Sequence, residues 1–262
     1  MRFDNGGLMR NIPTFGSWHS SFANASIFLV GMWLFFWAQH LFAFDFYKLG
    51  VLPRTFSGLI GLIFMPFIHS KNEIEHIVNN SLPAFLLISS LFYYYREIAW
   101  KVLLLGWIFT GAFLWVFAED FGRYHIGMSG VIYFLASFLF TSGVIRRYLP
   151  LQALSLFIVF LYGSMVWGIF PIQEKVSWEG HFSGMLVGLI MAFFHRQKGP
   201  QRPKYQYEID KEMGIEPPDL EGLYNERLRE LEEAQRKSQE NSVEVVYHYK
   251  ANETPNDKNP RS

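Results

Sequence analysis

Residues 125–147 read HIGMSGVIYFLASFLFTSGVIRR, and the fold turns on them. Between His125 and Arg146 the segment holds twenty residues without a charge. A run of that length crosses a hydrocarbon core of about 30 Å as a helix. It ends on paired arginines, the residues that mark a cytoplasmic helix end. Its start is of a different kind. Ser129 stands between Gly127 and Gly130, with Tyr133 one turn further along the same face. Glycines let the backbone turn sharply and approach a neighbour closely. A serine at a helix start keeps a backbone N–H with no intrahelical partner, which suits an oxyanion. The same small residues also suit close helix packing, so the motif by itself leaves both readings open.

Working outward, further apolar runs at Ser26 to about Phe44, 76–95, 98–118, 151–170 and 178–195 join 129–145 to make six candidate spans. Ser57 to Ile68, SGLIGLIFMPFI, is apolar but short and broken by Pro66. It is expected to be an interfacial or re-entrant piece of the first outer loop, 45–72, and not a seventh span. Composition agrees with a membrane body: 50% of residues are hydrophobic, 18% aromatic, and Phe alone accounts for 27. Charged residues make up 18%, below the roughly one quarter of soluble domains, and 25 of the 46 lie beyond residue 196. The expected organisation is therefore an N-terminal cytoplasmic segment 1–25, a six-span domain 26–196 and a charged cytoplasmic tail 197–262.

Orientation follows from Lys and Arg in the loops. Arg2, Arg10, Arg96, Lys101, Arg146, Arg147 and Arg196 fall on one side, against Lys48, Arg54, Lys71, Arg123 and Lys175 on the other. Both termini are expected in the cytoplasm. Residues 1–20 lack the apolar core and small-residue cleavage site of a signal peptide. The first span should then remain as an anchor, and a bacterial cytoplasmic (inner) membrane fits. In the tail, Leu220, Leu223, Tyr224, Leu228 and Leu231 recur at helical spacing, predicting an amphipathic helix over 219–237. A β-prone VEVVYHY and a disordered end are expected after it. The chain has no Cys, which excludes disulfides, thiol catalysis and thiolate metal sites. Zero formal net charge and the lack of any long run of like charges give no footprint for nucleic acid.

Polar side chains inside spans are costly and are functional hypotheses by default. The second span opens HIVNN, with His76 and Asn80 four apart on one face and Asn79 directed elsewhere. The pair could tie the helix to a neighbour or supply hydrogen-bond donors to a reaction. The sixth opens WEGHFSGMLVG, which aligns His181, Gly184 and Gly188 on one face; the two glycines permit close helix contact. In a six-span topology these openings and that of Ser129 are all entered from the outer side. Nucleophile, base and two donors thus share one membrane depth. That inventory suits a Ser–His dyad. No acidic third member lies at that depth, and Glu179 is two residues from His181 and points elsewhere. His69 and His125 are expected to be polar loop residues and not metal ligands. No metal and no cofactor are expected.

The set His76-x-x-x-Asn80, Gly127-x-Ser129-Gly130-x-x-Tyr133 and Gly180-His181-x-x-Gly184-x-x-x-Gly188 resembles the rhomboid family of intramembrane serine proteases, over roughly residues 26–196. The resemblance implies an all-α, six-helix transmembrane bundle with a water-filled cavity open to the outer face. It implies Ser129 as nucleophile and His181 as general base and then acid. His76 and Asn80 would join the Ser129 N–H in the oxyanion hole, Tyr133 would stack on the His181 ring, and Gly184 and Gly188 would seat span six on span four. The Trp-Arg signature frequent in the family's first outer loop is not evident; VLPRTFSGLIGLIFMPF stands there. The implied partners are the lipid bilayer and transmembrane substrates whose helices are unstable or rich in small residues. A pseudoprotease is disfavoured by the presence of both Ser129 and His181. A transporter is disfavoured because the spans hold no acidic chain, paired half-helices or inverted repeat. A structural scaffold would have no need of the dyad.

Overall fold

Ser17 starts the first helix: its side chain accepts a hydrogen bond from the Ser20 N–H, one of the donors a helix start leaves unpaired. This helix, α1 (Trp18–Leu41), has 24 residues and is about 36 Å long at 1.5 Å per residue. Its buried residues, Ser21, Ala25, Met32, Phe36 and Gln39, make one inward face. Ile27, Val30 and Leu34 are more than half exposed, an arrangement that is costly against water and favourable against lipid.

The structure, a computed structural model, describes residues 15–42, 44–119, 122–161, 167–172, 176–202, 204–215, 218–240 and 245–250. They divide into two compact units, Met1–Pro203 and Lys204–Ser262. In the first unit α1 is followed by the short α2 (Gly61–Phe64), then α3 (Ile74–Tyr94), α4 (Ala99–Phe117), α5 (Ser129–Arg146), α6 (Leu149–Leu161) and α7 (Trp178–Phe194). Helices α1, α3, α4 and α5 are long and apolar enough to cross a membrane, and α6 and α7 are shorter apolar helices. Together they form a polytopic, all-helical membrane bundle. Among the described residues the one extended pairing is an isolated antiparallel bridge between Val51 and His125.

The fifth predicted span, 151–170, is shorter in the structure. Helix α6 ends at Leu161, residues 162–166 lie outside the described residues, and Trp167–Ile169 forms a separate 3-10 turn. The 57–68 stretch is broken, as its Pro66 suggests: 3-10 turns at Ser57–Ile60 and Met65–Phe67 flank α2. At Gly58 an added Cβ would lie 2.6 Å from the Leu52 nitrogen, so the segment folds back onto its own loop.

Helix α5 is the central element, packed by α3, α4, α6 and α7, with Phe134, Leu135, Phe138 and Leu139 fully buried. Its closest partner is α7. A Cβ at Gly184 would overlap the Gly130 carbonyl, and one at Gly188 would lie 2.5 Å from the Phe134 oxygen and 2.8 Å from the Phe138 nitrogen. The two backbones therefore touch, and Ser137 Oγ donates to the Met185 carbonyl at 2.8 Å.

The far end of α5 is fastened by Arg146. Sequence reading placed this residue among the loop cations, yet only 5% of it is exposed. Its guanidinium donates to the Tyr95 hydroxyl (3.0 Å), to the Ser142 carbonyl (3.2 Å) and to the carbonyls of His195 and Lys198. Carbonyls at a helix C-terminus carry partial negative charge and compensate the cation.

In the second unit α8 (Gln206–Glu212) is bridged by Lys204–Glu212 at 2.6 Å. Helix α9 (Leu220–Glu240) carries the pairs Arg227–Glu230 and Arg236–Glu240 and buries none of its residues. VEVVYHY has no regular structure over its described residues 245–249, and among the described residues no strand is present for it to pair with. The tail end expected to be disordered, 251–262, and most of the segment before α1 lie outside the described residues.

The α5–α7 contact predicts that Gly184→Ala is destabilising although the change is one methyl. Overpacking of this kind costs about 1–3 kcal/mol. Thermal or detergent-induced unfolding of the purified protein should register that loss; an unchanged transition would mean that the helices are not in backbone contact.

Candidate active site

The loop into α5 is built around Gly127, whose φ of +108° is strained for any residue with a Cβ. A Cβ there would also lie 3.0 Å from the His76 ring. The Gly127 N–H donates to the Met65 carbonyl at 2.9 Å, tying the turn to the first outer loop. Ser129 is the first residue of α5, so its N–H has no acceptor within the helix.

Ser129 Oγ lies 2.8 Å from His181 Nε2, across 52 residues of sequence. The other ring nitrogen, Nδ1, lies 2.9 Å from the Gly168 carbonyl. A carbonyl can only accept, so Nδ1 carries the proton and Nε2 presents its lone pair to the serine hydroxyl. The 3-10 turn at Trp167–Ile169 supplies this carbonyl. The Tyr133 ring stacks on the imidazole at 4.2 Å with an 11° interplanar angle, which fixes its orientation from one face. Among the described residues no carboxylate bonds to His181, and no group of three or more His, Cys, Asp or Glu could hold a metal ion.

These groups open on a cavity of about 1220 Å³ whose lining includes Ser129, His181, Tyr133, His76 and Asn80. Gly127 and Gly130 shape the turn beneath it, and Gly184 and Gly188 hold α7 against α5 as described above. Ser129, His181, Tyr133, His76 and Asn80 thus line one cavity, and Gly127, Gly130, Gly184 and Gly188 lie in the turn and helix contact beside it.

Two loop histidines have a larger part than their positions suggested. His69 and His125, expected in polar loops, are buried, with 0% and 4% exposed. His69 Nε2 accepts from the Met128 N–H at 3.4 Å and from Asn80 Nδ2 at 3.1 Å. Met128 N–H can only donate, so this nitrogen is unprotonated. His69 thus joins the turn before Ser129 to Asn80. His125 pairs through its backbone with Val51, at 2.9 and 2.8 Å, and its Nδ1 lies 2.7 Å from Ser177 Oγ. Ser177 in turn caps α7 by accepting from the Gly180 N–H at 3.2 Å. The start of α5 and the start of α7 are therefore linked through His125. Neither role carries a periodic signal, because both histidines lie in irregular loops.

Burial, reinforced by neighbouring His76, lowers the pKa of His69 from 6.5 to about 3. It stays neutral when folded and must charge on unfolding at acid pH. Stability from this residue is complete above about pH 6.5 and declines as pH falls toward 3, where the folded form also protonates. We predict a shallower pH dependence of the melting temperature over that window in His69→Phe. At neutral pH this variant should lose about 1–3 kcal/mol, because the Met128 N–H and the Asn80 amide lose their acceptor. Parallel pH profiles for the two proteins would contradict this role.

Comparison with known proteins places the chain in a family. A model of the Rhomboid domain matches residues 56–198, more than half of the chain. An uncharacterised protein of Mycobacterium tuberculosis is 29% identical over 156 residues, covering 55% of this chain and 62% of the relative. One of Mycobacterium leprae is 30% identical over 172 residues, covering 62% and 64%. The matched regions thus span a little under two thirds of the length of these relatives. With the domain model covering the helices that carry Ser129 and His181, the chain belongs to the rhomboid family, whose members are in general intramembrane serine proteases acting on membrane-protein substrates within the bilayer.

Proposed function

We propose that this protein is a serine endopeptidase that hydrolyses peptide bonds in or near transmembrane segments of other membrane proteins. The observation that carries the reading is the 2.8 Å contact between Ser129 Oγ and His181 Nε2 inside a polar cavity, with the imidazole tautomer set by Gly168. A serine hydroxyl is a weak nucleophile until a base takes its proton. Here His181 Nε2 accepts that proton as Ser129 Oγ bonds to the scissile carbonyl carbon. The oxygen of the tetrahedral intermediate takes the negative charge, and the Ser129 N–H, His76 and Asn80 donate to it. Collapse breaks the C–N bond, and His181 delivers its proton to the leaving amine. A water molecule, deprotonated by His181, then hydrolyses the acyl-enzyme and restores Ser129.

Each supporting residue has a physical task in this scheme. Tyr133 stacks on the imidazole and keeps Nε2 aimed at Ser129. Gly127 and Gly130 shape the turn that exposes the serine, and Gly184 and Gly188 hold α7 at the distance the dyad needs. A substrate helix conceals its backbone in i→i−4 bonds, so segments with small or helix-breaking residues, which unwind readily, are the preferred substrates. The excess of Lys and Arg on one set of loops supports both termini in the cytoplasm of a bacterium, with the cavity facing outward across its inner membrane. In that arrangement the protease domain expected at 26–196 extends back to the start of α1 at Trp18, and the segment before it and the tail 197–262 are cytoplasmic appendages.

The test is cleavage of a single-span substrate with a small-residue segment near its outer end, in detergent or liposomes. Ser129→Ala and His181→Ala should abolish cleavage while remaining membrane-inserted, and turnover by either would refute the dyad. Asn80→Ala should lose less than the about 2.7–4 kcal/mol of a single oxyanion donor in a soluble protease. Other donors remain, and Asn80 already divides its amide between the cavity and His69. A wild-type rate in Asn80→Ala would remove it from the oxyanion hole.

A further inference from the structure

The α3 wall of the cavity carries a polar group that the scheme above does not use. Asn79 lines the cavity together with His76, Asn80 and Pro83. Its side chain is exposed, and among the described residues its carboxamide makes no hydrogen bond. It lies about 8 Å along the helix axis from Ile74, between the lipid-facing Val78 and Leu82, each 50% exposed. One turn on, Pro83 interrupts the helix interior. Proline has no N–H, so the Asn79 carbonyl also lacks its regular helical donor. The side chain therefore brings two amide donors and one carbonyl acceptor to the cavity wall, next to a main-chain carbonyl without its regular helical donor.

The exposed carboxamide on this open cavity can exchange its water for an occupant that offers hydrogen bonds. The occupant of a protease cavity has the matching need. A transmembrane segment unwound at its scissile bond exposes main-chain N–H and C=O groups that have lost their i→i−4 partners. Asn79 bears no charge, so it fits neither a cation nor an anion better than it fits this neutral amide backbone. We infer that Asn79 is a substrate-binding residue whose carboxamide hydrogen-bonds the main chain of the unwound substrate beside the scissile bond. This rests on the reading of Ser129 and His181 as a protease dyad. Because the contact is to backbone, it acts on every substrate sequence and selects for the unwound conformation.

The experiment compares wild type, Asn79→Leu and Asn79→Gln in liposomes on the single-span substrate with a small-residue segment. It records kcat and KM, the rate at which a small fluorophosphonate modifies Ser129, and the melting temperature. Loss of one neutral hydrogen bond corresponds to roughly a 3–10-fold fall in kcat/KM. Asn79→Leu should show that fall chiefly through a raised KM, as expected for loss of ground-state binding. Its modification rate and melting temperature should match wild type, and Asn79→Gln should recover most of the loss. Wild-type kcat/KM in Asn79→Leu would overturn this inference alone. So would a loss matched by slower modification of Ser129, because the residue would then act through the dyad. Wild-type protein that neither cleaves nor is modified would overturn the dyad reading, and this inference with it.

Discussion

The backbone contact between α5 and α7 is the constraint on which the site depends. Gly184 and Gly188 remove the side chains that would hold the helices apart, so the Gly130 carbonyl and the Phe134–Phe138 backbone come against α7. In lipid there is no hydrophobic drive to bring two helices together, and close van der Waals packing between small residues takes its place. Ser129 begins one of these helices and His181 lies in the first turn of the other. Their 2.8 Å separation is set by the fit of the two helices along their length. Along α5 the polar groups take up the packing, with Tyr133 against the His181 ring, Ser137 bonded to α7 and Arg146 fastening the far end.

Around that contact the loops act as fasteners. The first outer loop reaches the site twice, through Met65, which accepts from Gly127, and through His69, which accepts from Met128 and Asn80. On the other side Val51, His125 and Ser177 connect the same loop to the cap of α7. His69 is suited to this work because its Nε2 accepts while its Nδ1 lies 3.5 Å from the Phe67 carbonyl, and burial keeps it uncharged. The His181 ring is oriented by a neutral carbonyl and an aromatic face and, among the described residues, by no carboxylate. Its tautomer is thereby fixed without a second buried charge, which would be costly to hold in a low-dielectric bundle.

Much of this was legible in the sequence. Long uncharged runs gave the membrane bundle, and the shared entry side of three spans drew His76, Asn80, Ser129 and His181 to one depth before any contact was known. What spacing could not convey is distance across the bundle. Loop residues were the other gap. His69 and His125 lie in loops as expected, but they have no helical or alternating neighbours to reveal that they are buried. Arg146 was read as a loop cation from its charge, whereas Tyr95 and the carbonyls beyond α7 provide it with a buried seat. The fifth span looked longer than α6 because hydropathy does not distinguish a continuing helix from an apolar 3-10 turn. The Gly168 carbonyl that orients His181 belongs to that turn.

The central claim is that Ser129 is a nucleophile activated by His181. Its most direct test is to treat the detergent-solubilised full-length protein with a fluorophosphonate and locate the adduct by peptide mass spectrometry. The account predicts a single adduct on Ser129 in the wild type and none in His181→Ala. An adduct on a different residue, no adduct at all, or equal labelling of Ser129 without His181 would contradict it.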